Sequence, residues 1–243
     1  MAAVRPGAGR GRGPQPSKGG GRHRGPVHPR GGIDEAGRGP VLGPLVVAGV
    51  AGDPAELKAL GCRDSKTLSP AKRERLARLI RADAFVTVRV LEAADLDVAR
   101  DGTSLNTVEA RMFRDVAAEL AEAGARSIVV DAADVDARRF GRAVGEGLAV
   151  RVDARHHADE EDPVVGAASI VAKVTRDAAV AELARRLERE LPFPLGSGYA
   201  SDPYTRRFIH EWHERFGDVP EGTRRSWRTV QALVGPQQQR LPV

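Results

Sequence analysis

The sequence predicts an α/β layer fold that ends in a helical C-terminal appendage. Three observations carry this. Short apolar runs of strand length recur at Leu45–Val50, Phe85–Leu91, Ile128–Val130 and Leu148–Val152. Segments with helical apolar spacing separate most of them, and strands alternating with helices build a sheet covered by helices. After about residue 160 only helical patterns remain.

The elements follow in order. Leu45–Val50 is a continuous apolar run. Ser69-Pro70 reads as the N-cap and first residue of a helix reaching about Asp83, with Leu76, Leu79 and Ile80 on one face. Phe85–Leu91 is alternating and β-branched, hence a strand. Between Thr107 and Ala123, Val108, Met112, Phe113, Val116 and Leu120 stand at helical spacing, and Gly124 stops the helix. Ile128-Val129-Val130 is a short buried strand and Leu148–Val152 a second. A long helical pattern runs from about Val165 to Leu191. Another opens at Ser201-Asp202-Pro203 and closes at Gly217, and Arg225–Val234 forms the last.

Charge is distributed unevenly. The 243 residues carry a net +5, yet residues 1–31 hold seven basic side chains and no acidic one. The remaining 212 residues therefore carry 31 basic against 33 acidic groups, so the net charge does not make the folded body a basic binding surface. Residues 1–31 contain nine Gly and five Pro and none of Ile, Leu, Phe, Trp or Tyr. They read as a disordered basic Gly/Pro/Arg-rich tail, because burial cannot offset their ordering entropy. The same glycines and prolines forbid an amphipathic transit helix. The single cysteine, Cys62, excludes an internal disulfide framework and zinc-ribbon arrays. The longest apolar stretch, Val41 to Gly52, contains Pro44 and falls short of the ~20 residues that span a bilayer. The expectation is a cytoplasmic protein without a membrane partner.

Three places put carboxylates where an open α/β sheet presents its ligands. Asp34-Glu35 follow Gly31-Gly32-Ile33, Asp131 follows Ile128-Val129-Val130, and Asp159 lies after the run Leu148–Val152. If those strands lie side by side, four carboxylates converge, and they stay ionised together only around a cation. An all-oxygen set suits Mg²⁺ or Mn²⁺, not zinc. A strand-end Asp also serves as a turn residue or helix cap. Adjacent strand residues point to opposite faces, so Asp34 and Glu35 share a centre only if the strand ends between them or Glu35 takes a longer path. Spacing alone leaves both readings open.

Ala36-Gly37-Arg38-Gly39-Pro40 is a glycine-bracketed arginine ahead of Gly43-Pro44 and a strand. It lacks the Gly-Lys-Ser/Thr of a phosphate-binding P-loop. Its third glycine is displaced for a dinucleotide fingerprint, and a strand follows where a helix should start. Glycines let a backbone approach a sugar edge and the arginine pairs with phosphate, although a plain tight turn fits equally well.

Gly32-Ile33-Asp34-Glu35-Ala36-Gly37-Arg38-Gly39-Pro40 with Leu42-Gly43-Pro44 closely resembles the signature of the type 2 ribonucleases H (ribonuclease HII), particularly the archaeal-like branch. The resemblance continues through Asp64-Ser65-Lys66, Asp131-Ala132-Ala133-Asp134-Val135 and His157-Ala158-Asp159. It then runs through Ala167 to Asp177 and Gly196 to Pro203, covering about residues 32–230 in the expected order. It implies a ribonuclease-H-like mixed sheet flanked by helices: a catalytic domain at 32–195 and a helical C-terminal subdomain at 196–243. It implies that Asp34, Glu35, Asp131 and Asp159 are both catalytic and metal-binding. It implies that Gly37-Arg38-Gly39 senses the ribose 2′-OH, the atom that separates RNA from DNA. By the same resemblance Tyr199 stacks under a sugar at the RNA–DNA junction, and Ser65, Lys66, Ser169 and Lys173 lie near the hybrid backbone. Ala200 stands where relatives usually have Pro, and His156-His157 replace basic residues.

The implied activity is endonucleolytic hydrolysis of the RNA strand of RNA/DNA hybrids, with cutting 5′ to ribonucleotides embedded in duplex DNA. The mechanism would use two Mg²⁺ or Mn²⁺ ions and leave 3′-hydroxyl and 5′-phosphate ends. The competing reading is a non-catalytic hybrid-binding protein, which should lack one carboxylate. Asp177 reads as a group behind the ligands. Gln238 with Leu241 resembles the start of a sliding-clamp-binding motif but lacks its aromatic pair. A monomer is expected, with the basic tail as a salt-sensitive tether to duplexes.

Overall fold

The computed structural model describes residues 29–62 and 67–235. Strand β1 (Arg30–Ala36) pairs antiparallel with β2 (Leu45–Gly52), Ile33 lying opposite Gly49. Arg30 and Gly31, grouped with the tail on composition, thus belong to the sheet; residues 1–28 lie outside the described residues. Helix α1 (Pro54–Leu60) is capped by Asp53, whose carboxylate accepts from the Ala55 N–H at 2.7 Å. Helix α2 (Pro70–Asp83) starts at the anticipated Ser69 cap, and β3 (Phe85–Leu91) pairs antiparallel with β2. After α3 (Ala93–Ala99) comes α4 (Leu105–Glu122), capped by Ser104. Strand β4 (Ser127–Asp131) runs parallel to β1. Helix α5 (Ala137–Gly145) leads to β5 (Arg151–Arg155), parallel to β4. One-turn α6 (Ala158–Glu161), long α7 (Pro163–Leu187), α8 (Pro203–Phe216) and α9 (Arg228–Val234) complete the chain. The sheet order β3-β2-β1-β4-β5 is mixed, with β1 at its centre.

The two faces of β1 bury against different helices. Ile33 joins Phe113, Val116 and Leu120 of α4 and Phe140 of α5. Ala36, with Val46, Ala48 and Val50 of β2, meets Ile80 of α2 and Val164 to Ala172 of α7. Each fully buried Ile, Leu, Val or Phe in these layers contributes about 1.5–3 kcal/mol. The second half of α7 leaves the sheet: Leu183 and Leu187 pack with Phe208, Ile209 and Trp212 of α8 and with Val41-Leu42 from the β1–β2 connection. One helix therefore runs through both the sheet layer and the C-terminal helical region, and the β1–β2 connection is pinned beneath that region. Among the described residues no helix is long and apolar enough to cross a membrane.

The sequence misplaced β5 and missed four helices. Leu148 is still in the turn after α5, its N–H donating to Gly145 O at 3.1 Å, and pairing starts where Arg151 meets Ser127. Helices α1, α3, α5 and α6 span only four to nine residues, too short to show a helical period.

Candidate metal centre and substrate groove

Strand β1 does not end between Asp34 and Glu35; it runs on to Ala36. Asp34 therefore takes the face toward α7, and Glu35 the opposite one. The Glu35 N–H donates to Asp34 Oδ1 at 2.7 Å. Asp34 is 3% exposed, and burial, then the charges of Glu35 and Asp131, push its carboxyl well above the usual range. Lys173 and the Ser169 hydroxyl, both on α7, oppose that rise. Burial likewise raises Glu35, helped by Asp131 and opposed by Asp34's hydrogen bond and by Arg38. Glu35 thus lies within electrostatic reach of Asp34 and Asp131.

Asp131 terminates β4, beside β1, and its Oδ1 accepts from the Ala158 N–H at 2.9 Å. The next residue is Asp159, 2% exposed in α6 instead of in an open loop. Val129, Ala158 and Val165 seal α6 onto β4 and α7. One backbone bond therefore ties the helix that carries Asp159 to Asp131. The turn into α6 is made by His157 in the left-handed region at φ 58°, where a non-glycine residue is uncommon.

Among the described residues no three His, Cys, Asp or Glu side chains form a ready-made cation cage. The donor chemistry nevertheless fits a hard divalent ion. Glu35 Oε2 is buried without a hydrogen-bond partner, Asp131 raises the cost of charge on both Asp34 and Glu35, and Glu35 raises it on Asp34. A cation would satisfy the oxygen and relieve the repulsion, and carboxylate oxygens favour Mg²⁺ or Mn²⁺.

The turn after β1 is shaped by its first glycine. Gly37 has φ +90°, and a Cβ there would lie 2.4 Å from Pro44 O. At Gly39 a Cβ would meet Tyr199 Cε1 at 3.7 Å, so this glycine faces the tyrosine ring. The Arg38 guanidinium turns toward α4, where it pairs with fully buried Glu109 and donates to Asn106 Oδ1 at 2.7 Å. The backbone of the turn, more than its arginine, is what the groove receives.

That groove, about 410 Å³, is lined by Glu35, the Gly37–Gly39 turn, Lys173 and Tyr199, together with Arg73, Arg176 and Asp177. Lys173 donates to the Ser169 hydroxyl one turn back on α7. Of the predicted residues, Glu35, Gly37, Arg38, Gly39, Lys173 and Tyr199 line this groove, whereas Asp34, Asp131, Asp159 and Ser169 do not; Ser65 and Lys66 lie outside the described residues, as do Gln238 and Leu241. A larger hollow of about 600 Å³ lies between α4 and α5 against Asp134 and Arg139, and none of the four carboxylates lines it.

Three groove or turn residues escaped the sequence reading. Arg73 of α2 donates to Leu68 O at 2.7 Å and pairs with Asp177 at 3.2 Å. Arg176 lies against the Tyr199 ring, 5.1 Å from its centroid, and donates to Ser197 O at 2.8 Å. Arg224 is fully buried and donates to Gly43 O and Arg38 O, each at 3.1 Å, and to Gly37 O at 2.5 Å. Nothing in the charged stretch Thr223 to Ser226 signals a buried arginine.

Asp202 holds the Tyr199 loop. Its carboxylate accepts from the Ser197 N–H at 2.6 Å and hydroxyl at 2.7 Å, and caps α8 through the Tyr204 N–H at 3.0 Å. Asp202→Ala is expected to cost about 0.5–2 kcal/mol in urea denaturation at neutral pH. Those bonds from Ser197 hold the Asp202 carboxyl below its ordinary value. Its stabilisation is therefore present above the ordinary carboxylate range and is lost as pH falls through the lowered value. An identical cost at neutral and strongly acidic pH would contradict this role.

Comparison with known proteins agrees with this geometry. The ribonuclease HII family pattern matches residues 31–230. Ribonuclease HII of Methanothrix thermoacetophila is 44% identical over 208 residues, covering 83% of this chain and 95% of the relative. The ribonuclease HII in the PCNA:RNase HII complex from Archaeoglobus fulgidus superposes with a TM-score of 0.76 at 39% identity, covering 86% of this chain and 98% of that one. Ribonuclease H2 from Pyrococcus horikoshii OT3 superposes at 0.74 with 34% identity, covering 85% and 97%. The match spans the sheet, the carboxylates on β1, β4 and α6, the glycine turn and the helices over it: the chain belongs to the ribonuclease HII family.

Proposed function

We propose that the chain is a metal-dependent endoribonuclease that hydrolyses the RNA strand of RNA/DNA hybrids and cuts 5′ to ribonucleotides embedded in duplex DNA. The observation that carries this reading is the groove that Glu35, the glycine turn and Tyr199 line together, with buried Asp34 accepting from the Glu35 N–H beside it. In this reading residues 32–195 form the catalytic unit, the helices after residue 195 a C-terminal subdomain, and the enzyme works as a monomer.

Asp34, Glu35, Asp131 and Asp159 would hold the cations, which supply water activation and stabilisation of the leaving 3′-oxygen in an in-line displacement. The protein's own groups handle the rest. Gly37 and Gly39 let the backbone come close to the ribose 2′-hydroxyl, and Tyr199 offers a ring surface for the neighbouring sugar. Lys173, Arg73 and Arg176 line the groove as cations for phosphates, a positioning role that carries no sequence information. Ser169 and Lys173 lower the cost of ionising Asp34 before any metal arrives. No nucleophilic side chain is needed, and the products carry 3′-hydroxyl and 5′-phosphate ends. Asp131 ties α6 to the sheet as well as serving the metal, so its loss disturbs Asp159 too. The Archaeoglobus relative forms a complex with PCNA, and binding to a sliding clamp is part of the same proposal for this chain.

The test is a DNA duplex bearing one ribonucleotide, incubated with Mg²⁺ or Mn²⁺ and either wild type or Asp131→Asn. Wild type should cut once, 5′ to the ribonucleotide, and the variant should be slower by on the order of 10³-fold. A wild type inert with both metals, or a variant equally active, would refute the reading; binding without cutting would instead support a hybrid-binding protein.

A further inference from the structure

We propose that Arg224 is a positioning residue that sets ribose selection by clamping the Gly37–Arg38–Gly39 turn. The inference rests on the reading of that turn as the ribose sensor. Arg224 follows Thr223, which is bridged antiparallel to Leu42, and the Arg224 N–H donates to Val41 O at 2.9 Å. The side chain is sealed from solvent, and burial, with repulsion from Arg176, lowers its pKa to about 10. Its hydrogen-bond acceptors are the backbone carbonyls of Gly37, Arg38 and Gly43. The Trp227 ring lies 5.0 Å away, and Arg100 stacks on the same ring at 4.4 Å.

A buried charge of this kind is a costly way to fill space. An apolar side chain of similar volume would serve stability as well or better. What the guanidinium adds is a rigid fork of donors. Two of its three bonds fix consecutive peptide planes, those joining Gly37 to Arg38 and Arg38 to Gly39. In a trans peptide the N–H points opposite to the C=O, so the amides of Arg38 and Gly39 are held away from Arg224. Arg224 does not line the groove, whereas the turn does. The fork thus sets the backbone direction on the substrate side, through peptides whose own glycines would otherwise leave them loose. Misplacement of a positioning group by about 1 Å can cost on the order of 10²-fold in rate.

Arg224→Lys keeps the charge but cannot span three carbonyls. Cleavage of the single-ribonucleotide duplex should fall by about 10- to 100-fold, mainly in kcat. In an Asp131→Asn background, where cutting is slow, the affinity ratio of the single-ribonucleotide duplex to the all-DNA duplex should drop at least about fivefold, with all-DNA affinity unchanged. A merely structural role predicts activity lost in proportion to the unfolded fraction, with the ratio intact, and that result overturns the proposal. Should the lysine variant not fold, Trp227→Leu decides. It leaves all three donors but removes the ring beside them, and should lower the same ratio by about two- to threefold; an unchanged ratio overturns the clamp. A wild type with no ribose preference refutes the reading of the groove itself. A wild type that prefers ribose, with a folded lysine variant that prefers it equally, refutes the clamp alone.

Discussion

Asp34→Asn should abolish cleavage and, in the absence of metal, make the protein more stable. The residue lies on the central strand at 3% exposure, and burial, Glu35 and Asp131 all disfavour its charge. Because the folded-state value is raised, the carboxyl favours folding most at low pH, where it is protonated in both states. That contribution is lost as pH rises from the ordinary carboxylate range through the raised value. At neutral pH the metal-free wild type therefore carries a penalty that an amide removes. Melting in EDTA should show the variant stabilised by about 1–2 kcal/mol, or about 2–8 °C for a chain of this size. The difference should vanish toward acid. Added Mg²⁺ should raise the melting temperature of wild type but not of the variant, because ligand binding to the folded state alone is stabilising. Single-turnover cleavage should fall on the order of 10³-fold or more. A variant that melts below wild type in EDTA would show that Asp34 contributes to the fold rather than burdening it.

The second large effect is steric. Gly32→Ala should destabilise the protein by about 3 kcal/mol, at the upper end of overpacking costs. The new Cβ would lie 2.4 Å from the Val164 carbonyl carbon and 2.5 Å from Val165 N. These are backbone atoms of the first turn of α7, which cannot rotate aside, and Asp162 caps that turn through the Val164 N–H at 2.9 Å. Relief requires α7 to move off β1, carrying Ser169 and Lys173 away from Asp34. Cleavage per folded molecule should therefore fall as well. Gly39→Ala provides the contrast: its Cβ finds ordinary contact at 3.7 Å from Tyr199, and stability should stay within about 0.5 kcal/mol. Urea denaturation of the two variants separates them, and equal destabilisation would contradict the packing argument.

The sheet was legible where local pattern and tertiary burial agree. Phe85–Leu91 forms a strand with the expected limits, and Ser69 caps α2 as anticipated, because alternation and capping are local properties. Strand β5 was not legible: Leu148 and Val150 are apolar but precede the strand, and both pack against the first core from the turn. The carboxylates could be named from the motifs, yet their relation could not. Whether Asp34 and Glu35 share a face depends on where β1 ends, and Asp159's placement depends on a bond from the neighbouring amide to Asp131. Arg224 was invisible for a plainer reason. Its acceptors are carbonyls about 180 positions earlier in the chain, and backbone acceptors leave no mark on composition or spacing.

The parallel seam between β1 and β4 has a consequence for the chain during synthesis. Strands β1, β2 and β3 form an antiparallel meander that can assemble as it emerges, presenting Asp34 and Glu35 early. Asp131 and Asp159, the helix bearing Lys173, and finally Arg224 arrive only as the rest of the chain is extruded. A ribosome-bound fragment would therefore display half of a charged centre and no means of completing it. Nuclease competence would be acquired late and all together, once the last of these residues has left the ribosome.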